Sequence, residues 1–385
     1  RVYYDRSTNR WFANIFTFDS SSSHIDLAVS ASGNPTGSWL IYQIDSTDPN
    51  GAGCPCFPDY TINGIDQYNV YLSGNEFSIN ASNFNGAEIW AISKSQLEAG
   101  VAANYALFAD LSQAGAPAYH VQPAISYTAP NAEYFMSSLD PNGTFDTRLG
   151  VWAMTNRQSV TSGSGMPILS SIVITSEAYG QPPNAHTPPG VCSCPALGGP
   201  TPTTGVVTND FDAMQEVEFI NGHLVGALDT AVTIPGDTSE RSGVAWFHVT
   251  PALSGNVIGG AHITGQGYFA MQGLYLLYPH INQDKYGNDG LVFSLGGPNT
   301  FLSAAYTVKL ATQNYFGGVH VPGPGVDPDN GFTSTPGFGG VGRWGDYSNG
   351  EYDPSTGTFW FATQYIPNNG DSYANWGNRV FQIEA

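Results

Sequence analysis

The feature that most constrains this chain is long-range self-repetition. Tyr4-Asp5-Arg6-Ser7-Thr8 followed by Trp11-Phe12-Ala13 returns near the other end as Tyr352-Asp353-Pro354-Ser355-Thr356 followed by Trp360-Phe361-Ala362. Each reads as a strand, a tight polar turn and an aromatic strand. Phe57-Pro58-Asp59-Tyr60 is echoed by Trp344-Gly345-Asp346-Tyr347. Asp210-Phe211-Asp212-Ala213-Met214-Gln215 is echoed by Gly267-Tyr268-Phe269-Ala270-Met271-Gln272. Six units can be read, starting near Val2, Asp59, His120, Asp210, Tyr268 and Asp346. Their spacing of roughly 50 to 90 residues suits a four-stranded repeat with its loops.

Helical periodicity is nearly absent; only residues 93–105 allow a short helical turn. Aromatic residues make up 13% of the chain, with 46 Gly and 26 Pro, a mixture that favours many short strands joined by turns. The expected fold is therefore all-β: a single β-propeller domain over residues 1–385, built of four-stranded antiparallel blades. Six blades are legible. A pair of β-sandwiches is the rival, but it does not explain why the two ends repeat each other. The Pro/Gly-rich connections at 45–57, 181–208 and 317–342 are long enough to be functional loops. The same repeat flanks each, so none marks a domain boundary.

Charge narrows the partners. There are 31 acidic and 11 basic residues, for a net charge of −20. Such a surface repels phosphates and anionic lipid, so nucleic acid is set aside. A neutral glycan, a cation or a cationic partner is electrostatically easier. No apolar run is long enough for a transmembrane helix. No signal peptide is visible, and Arg1 opens directly into the strand-like Val2-Tyr3-Tyr4, so the chain reads as processed or truncated. Few lysines and a polar, uncharged surface suggest a secreted protein, extracellular or on the cell surface.

The motifs resemble a family of uncharacterised secreted bacterial β-propeller proteins. The resemblance rests on Val2-Tyr3-Tyr4-Asp5-Arg6 with Arg10-Trp11-Phe12, on Asn34-Pro35-Thr36-Gly37-Ser38-Trp39, and on Phe57-Pro58-Asp59-Tyr60. At the other end it rests on Arg343-Trp344-Gly345-Asp346-Tyr347-Ser348, Asp353-Pro354 and Thr358-Phe359-Trp360. It covers both ends and is weak between about residues 74 and 342. It implies seven blades for the complete fold, one missing here or supplied by another segment. It implies no activity.

Aligning the units places Asp59, His120 or Gln122, Asp210 or Asp212, Tyr268 and Asp346 at the heads of the innermost strands. These positions would converge at one mouth of a channel. Three uses follow. Asp59, Asp210 and Asp346 are candidate ligands for a hard cation such as calcium. Asp59, Asp212, Asp346, His120 and Arg343 are candidates for acid/base work on a glycosidic bond. Tyr60, Tyr268 and Tyr347 are candidate ligand-binding aromatics. The structural alternative is that Asp-Tyr caps a turn and ties blades together, with Arg343 and Asp346 forming a buried ion pair under Trp344.

The four cysteines form two Cys-x-Cys pairs, Cys54/Cys56 and Cys192/Cys194, and an even count in a secreted chain implies disulfides. Bridging within one pair closes a small ring, so cross-links between the two loops are expected. A four-thiolate metal site is the alternative. The Asp/Asn/Gly segments at 140–143, 282–289 and 327–331 read as turns, with calcium-loop chemistry as the weaker option. Zinc-hydrolase and nucleophile-elbow motifs are not found, and Asp-box repeats of the sialidase kind are not convincing. Asn80-Ala81-Ser82 and Asn142-Gly143-Thr144 fit the glycosylation sequon.

Three functions compete: a non-catalytic extracellular module that binds glycan or protein at one face, a carbohydrate-active hydrolase or lyase at the channel mouth, and a self-associating surface-layer or filament protein.

Overall fold

The computed structural model describes the chain except residues 49–50, 82, 140–142, 144, 210, 369–372 and 385. The fold is all-β. Among the described residues two short α-helices interrupt it, Lys94–Glu98 inside the segment expected to allow one, and Gln158–Ser162, which was not expected.

The strands follow one another in antiparallel meanders. The first meander orders Val2–Asp5, Arg10–Phe18, Ser23–Ser30 and Trp39–Asp45. The second contains Cys56–Ile65, Asn69–Ser78, Phe84–Ser93 and Tyr105–Gln113. The third contains Gln122–Ser126, Glu133–Ser138, Asp146–Thr155 and Ile168–Tyr179. The fourth contains Val217–Ile220, His223–Val232, Arg241–Ser254 and Val257–Phe269. The fifth contains Tyr275–Gln283, Asp289–Gly297, Thr300–Lys309 and His320–Gly323, and the sixth contains Asn349–Asp353, Thr358–Tyr365 and Gly377–Glu384. Gln122–Ser126 also pairs in parallel with the first strands of the second and fourth meanders, through Ile125–Ile65 and Ala124–Val217. Three first strands thus run side by side in one direction.

Strand patterning explains the packing. In Ser23–Ser30 the residues Ile25, Leu27 and Val29 are fully buried and alternate with half-buried His24, Asp26 and Ala28. That is the period-two signature of a sheet with one face on a core. Strands deeper in the molecule, such as Asn69–Ser78, are buried nearly throughout.

Each meander packs on its neighbour in chain order. Phe12, Ile25 and Leu27 of the first meet Val70, Leu72 and Trp90 of the second. Tyr71 and Ile89 meet Phe135 and Trp152 of the third. Tyr134, Met136 and Leu149 meet Phe219, Leu224 and Phe247 of the fourth. Val225 and Trp246 share a core with Leu291 and Phe293 of the fifth and Tyr352, Phe359 and Phe361 of the sixth. The sixth and first meanders meet through polar groups. Arg6 donates from Nη1 to the Tyr352 carbonyl at 3.0 Å, and its Nη2 lies 3.3 Å from Glu351 and 3.6 Å from Asp353.

Two expectations change. The fifth meander starts at Tyr275 rather than near Tyr268, because Tyr268 closes the last strand of the fourth. The disulfides form within each pair, Cys54–Cys56 and Cys192–Cys194, not between loops. The Cys54 loop packs beside Glu76 and Asn85 of the second meander, whereas Val191 donates to Asn330, far along the chain. Within the pairs the Cα atoms are 4.5 and 5.2 Å apart, separations that a disulfide spans.

Phe135→Ala should cost about 3–5 kcal/mol in denaturant unfolding, because a fully buried ring between the second and third meanders leaves a cavity. Ile15→Ala, at an exposed position of the first meander, should stay within about 0.5 kcal/mol of the parent.

Candidate functional site

Four side chains near the starts of different meanders adopt left-handed backbone: Tyr60 at φ 64°, His120 at 44°, Tyr278 at 51° and Asp346 at 71°. Such φ values are unfavourable for bulky residues and cost about 1–3 kcal/mol each. Register breaks accompany two of them, between Asp59 and Ile62 and between Leu277 and His280. A bulge of this kind re-aims a side chain. Here all four line one cavity of about 240 Å³, together with Asp59, Asn75, Phe77, Tyr119, Phe211, Ala213, Gln215, Arg343 and Tyr347.

The Arg343–Tyr347 motif is built for this position. Trp344 is fully buried and anchors the segment. Gly345 sits at φ 68°, and a Cβ there would lie 2.4 Å from the Tyr278 ring, so glycine alone fits. Arg343 pairs with Asp346 at 2.7 Å, but the arginine is 65% exposed, so the ion pair stands at the rim and not under Trp344 as expected.

Aromatic rings form the wall. His120 lies between Tyr60 and Tyr119, with ring centroids 4.0 and 4.3 Å away. Tyr60 meets Tyr347 at 4.7 Å, and the Arg1 guanidinium lies 3.6 Å from the Tyr347 ring centre. The Tyr60 hydroxyl donates toward Gln215 Oε1 at 3.2 Å and the Asp346 carbonyl at 3.1 Å.

Burial governs the ionisation of these groups. It pushes the His120 imidazole down to about 3, so the ring is neutral across ordinary pH. It raises the Tyr60 phenol well above its usual range and the Tyr347 phenol to about 12. Asp59 has exposed area at the rim, but the protein crowding its carboxyl, and then the charge of Asp346, push its pKa up.

Asp59, Tyr60, His120, Arg343, Asp346 and Tyr347 are therefore brought together. Asp212 is fully buried beside the cavity and does not line it. Tyr268 lies on an outer strand, where its hydroxyl donates to the Ala178 carbonyl, away from the group. Asp210, the third acid of the proposed calcium set, and the segments holding Ser82, Asp140–Asn142 and Thr144 of the turn and sequon expectations fall on residues outside those described. Among the described residues, one close grouping of three metal-ligand side chains is found, Cys54, Cys56 and Glu76, not the acids at the rim. In the 282–289 and 327–331 segments Asp284 accepts from the Tyr286 and Asn288 amides and Asp329 from the Gly331 amide, as turn acceptors, while Asp289 opens a strand and pairs with Lys309.

Sequence reasoning missed Tyr119, Tyr278, Gln215 and a buried polar group behind the aromatic wall. His280 is fully buried, 3.6 Å from Glu216 and 3.7 Å from Glu218. Asn349 donates to Glu216 at 2.8 Å, and Arg1 lies 3.8 Å from it. Burial raises Glu218 to about 7, opposed by His280, and raises Glu351 to about 7, opposed by Arg6. A signal for these residues existed: Glu216/Glu218, His280/Asn282 and Asn349/Glu351 are polar pairs two residues apart, so each pair shares one face of its strand segment.

No family model matches the chain, and no curated protein matches it. Among solved structures it is similar to Trypanosoma rangeli sialidase, at 10% identity and a TM-score of 0.39. The match covers 98% of this chain and 53% of that one, so the chain spans about half the length of that protein. At that distance the likeness assigns neither activity nor site.

Two opposite pH effects are expected. His120 has a folded pKa below its unfolded value of 6.5, so the unfolded state binds the extra proton. Its contribution to stability is lost as pH falls from about 6.5 toward 3, with a slope approaching ~1.4 kcal/mol per pH unit. Glu351 has a folded pKa near 7, above 4.5, so its contribution is present at acid pH and lost as pH rises from 4.5 through 7. Urea melts across pH should show a shallower acid limb for His120→Phe and a shallower neutral limb for Glu351→Gln.

Proposed function

We propose that this chain is an extracellular β-propeller that recognises a glycan at the cavity between Asp59 and Tyr347, without turning it over. The observation that carries this reading is the cavity itself. It offers tyrosine faces and a neutral imidazole beside carboxylates and one guanidinium. Aromatic faces stack on the C–H faces of sugar rings, and rim carboxylates accept hydroxyl hydrogen bonds. A net charge of −20 favours a neutral or cationic ligand over an anionic one.

The propeller reading is supported by six meanders packed in chain order, by the parallel first strands, and by Arg6 joining the sixth meander to the first. A seventh sheet between those two fits the same reading. Val2, Ile15 and Ile41 are exposed on the first meander, and Trp360 and Val380 on the sixth, on faces turned away from their packed neighbours. The resemblance to secreted bacterial propeller proteins points the same way, and with it to secretion.

A second reading, a glycoside hydrolase or lyase, is favoured by one observation: the raised pKa of Asp59 beside Asp346 suits a general acid.

A glycan array should find a neutral oligosaccharide ligand. Tyr347→Ala and Asp59→Asn should each weaken its binding about tenfold or more by calorimetry, and Tyr268→Ala should leave it unchanged. Binding untouched by the first two variants would refute the site. Cleavage of the bound glycan that Asp59→Asn abolishes would establish the second reading instead.

A further inference from the structure

The two disulfides of this chain have different surroundings. Cys192 and Cys194 are both fully buried. In the other pair Cys56 is fully buried but Cys54 is half-exposed. Cys54 is thus the more accessible end of its disulfide, and Cys56 the enclosed one.

The chemistry around that bond is specific. Glu76 is fully buried, and its Oε1 lies 3.4 Å from Cys54 Sγ. The Cys54 sulfur, the Cys56 sulfur and a Glu76 oxygen all lie within 4.8 Å of one another. The Asn85 amide donates to Glu76 Oε1 at 2.5 Å, and its nitrogen stands 3.5 Å from Cys56 Sγ and 3.6 Å from Cys54 Sγ. Glu88, also fully buried, lies on the strand paired with that of Glu76, and neither of its carboxyl oxygens finds a hydrogen-bond partner. Two fully buried carboxyls on neighbouring strands cannot both ionise cheaply, and burial pushes the Glu76 carboxyl up toward its protonated form. Burial, and then the charge of Glu76, raise Glu88 well above the carboxylate range. The second meander therefore carries a proton reservoir and an amide donor directly on a half-exposed disulfide. A purely structural cross-link needs neither.

We propose that Cys54–Cys56 is an exchange-active disulfide that oxidises accessible dithiols of extracellular peptides or proteins, with Glu76 as its buried proton donor.

The reaction balances without a further oxidant. One thiolate of the partner dithiol attacks Cys54 Sγ. A partner–Cys54 disulfide forms, and the Cys54–Cys56 bond breaks. Cys56 Sγ leaves with the electron pair, facing the Asn85 amide, and takes the proton of the Glu76 carboxyl. The second partner thiol then attacks the partner sulfur of the mixed disulfide. Cys54 leaves as a thiolate and receives the proton that this thiol gave up. The partner is oxidised to a disulfide, and Cys54 and Cys56 are reduced to thiols, a two-electron exchange. In the reverse direction Cys56 returns its proton to Glu76, whose carboxyl oxygen lies within 4.8 Å of that sulfur, as it attacks Cys54 of the mixed disulfide. Glu76 is thus the catalytic residue, and Asn85 positions it.

The test uses the folded, oxidised chain treated with dithiothreitol. Samples are quenched by alkylation, and each disulfide is read separately by peptide mass spectrometry. Cys192–Cys194 serves as an internal control for unfolding and general access. Cys54–Cys56 should open at least about tenfold faster than the control. Glu76→Gln should slow that opening about tenfold or more near neutral pH and change its pH profile, leaving the control unmoved. With glutathione as a monothiol probe, the trapped adduct should sit on Cys54. Asn85→Ala should slow exchange in the same sense, so the proposal stays testable if Glu76→Gln does not fold. Equal opening rates for the two disulfides, an adduct on Cys56, or unchanged kinetics in the folded variants would overturn it.

Discussion

Everything here depends on sheet-on-sheet packing in chain order. Each of the second to fifth meanders spends one face on its predecessor and the other on its successor, through residues such as Leu72, Phe135, Phe247 and Phe293. Once both faces are committed to these cores, the starts of the first strands have nowhere to go but toward one another. Polar side chains at those starts then gather from distant parts of the sequence. Tyr60 bonds to Asp346, and Arg6 to Tyr352, across almost the whole chain. The strained residues are the local counterpart of this convergence. Turning Tyr60, His120, Tyr278 and Asp346 into one cavity needs left-handed backbone, which only a well-packed surround can maintain.

That surround also fixes the electrostatics. The rings of Tyr60, Tyr119, Tyr347 and His120 exclude water, and loss of solvation keeps each of the phenols at Tyr60 and Tyr347, and the imidazole, in its neutral form. Charge is confined to the rim, where Arg343 and Asp346 pair in solvent, and to the buried group around Glu216 and Glu218. An exposed pair of that kind adds little stability. Its geometry is more useful as a polar edge to an aromatic surface. The result suits a ligand that presents both apolar C–H faces and hydroxyls.

Much of the site was legible because the repeat carries it. The echo of Asp59-Tyr60 in Asp346-Tyr347 correctly joined two residues that meet in space. His120 was placed by the same alignment, and Arg343 by its place three residues before Asp346 in its motif. Tyr268 was misplaced for a physical reason. Its echo with Phe211 matches residue types but not the strand they occupy, and Tyr268 ends an outer strand while Phe211 precedes a first one. Tyr278 escaped notice because its exposure to the cavity comes from a bulge, and a bulge leaves no mark in a run such as Leu276-Leu277-Tyr278. The Cys pairing was misread because ring size suggested strain, while the position of each loop relative to its own sheet decides what a cysteine can reach. The buried Glu and His pairs did leave a period-two trace, but polar residues in a strand are ordinarily read as the solvent side.

The central claim is that an aromatic and acidic cavity at the converging strand starts holds a sugar. A crystal structure of the chain with the oligosaccharide selected on the array tests it most directly. The expected result is a sugar ring against Tyr60 or Tyr347, with hydroxyls donating to Asp59 or Asp346. Density for the sugar elsewhere on the molecule, with this cavity holding only water, would contradict it.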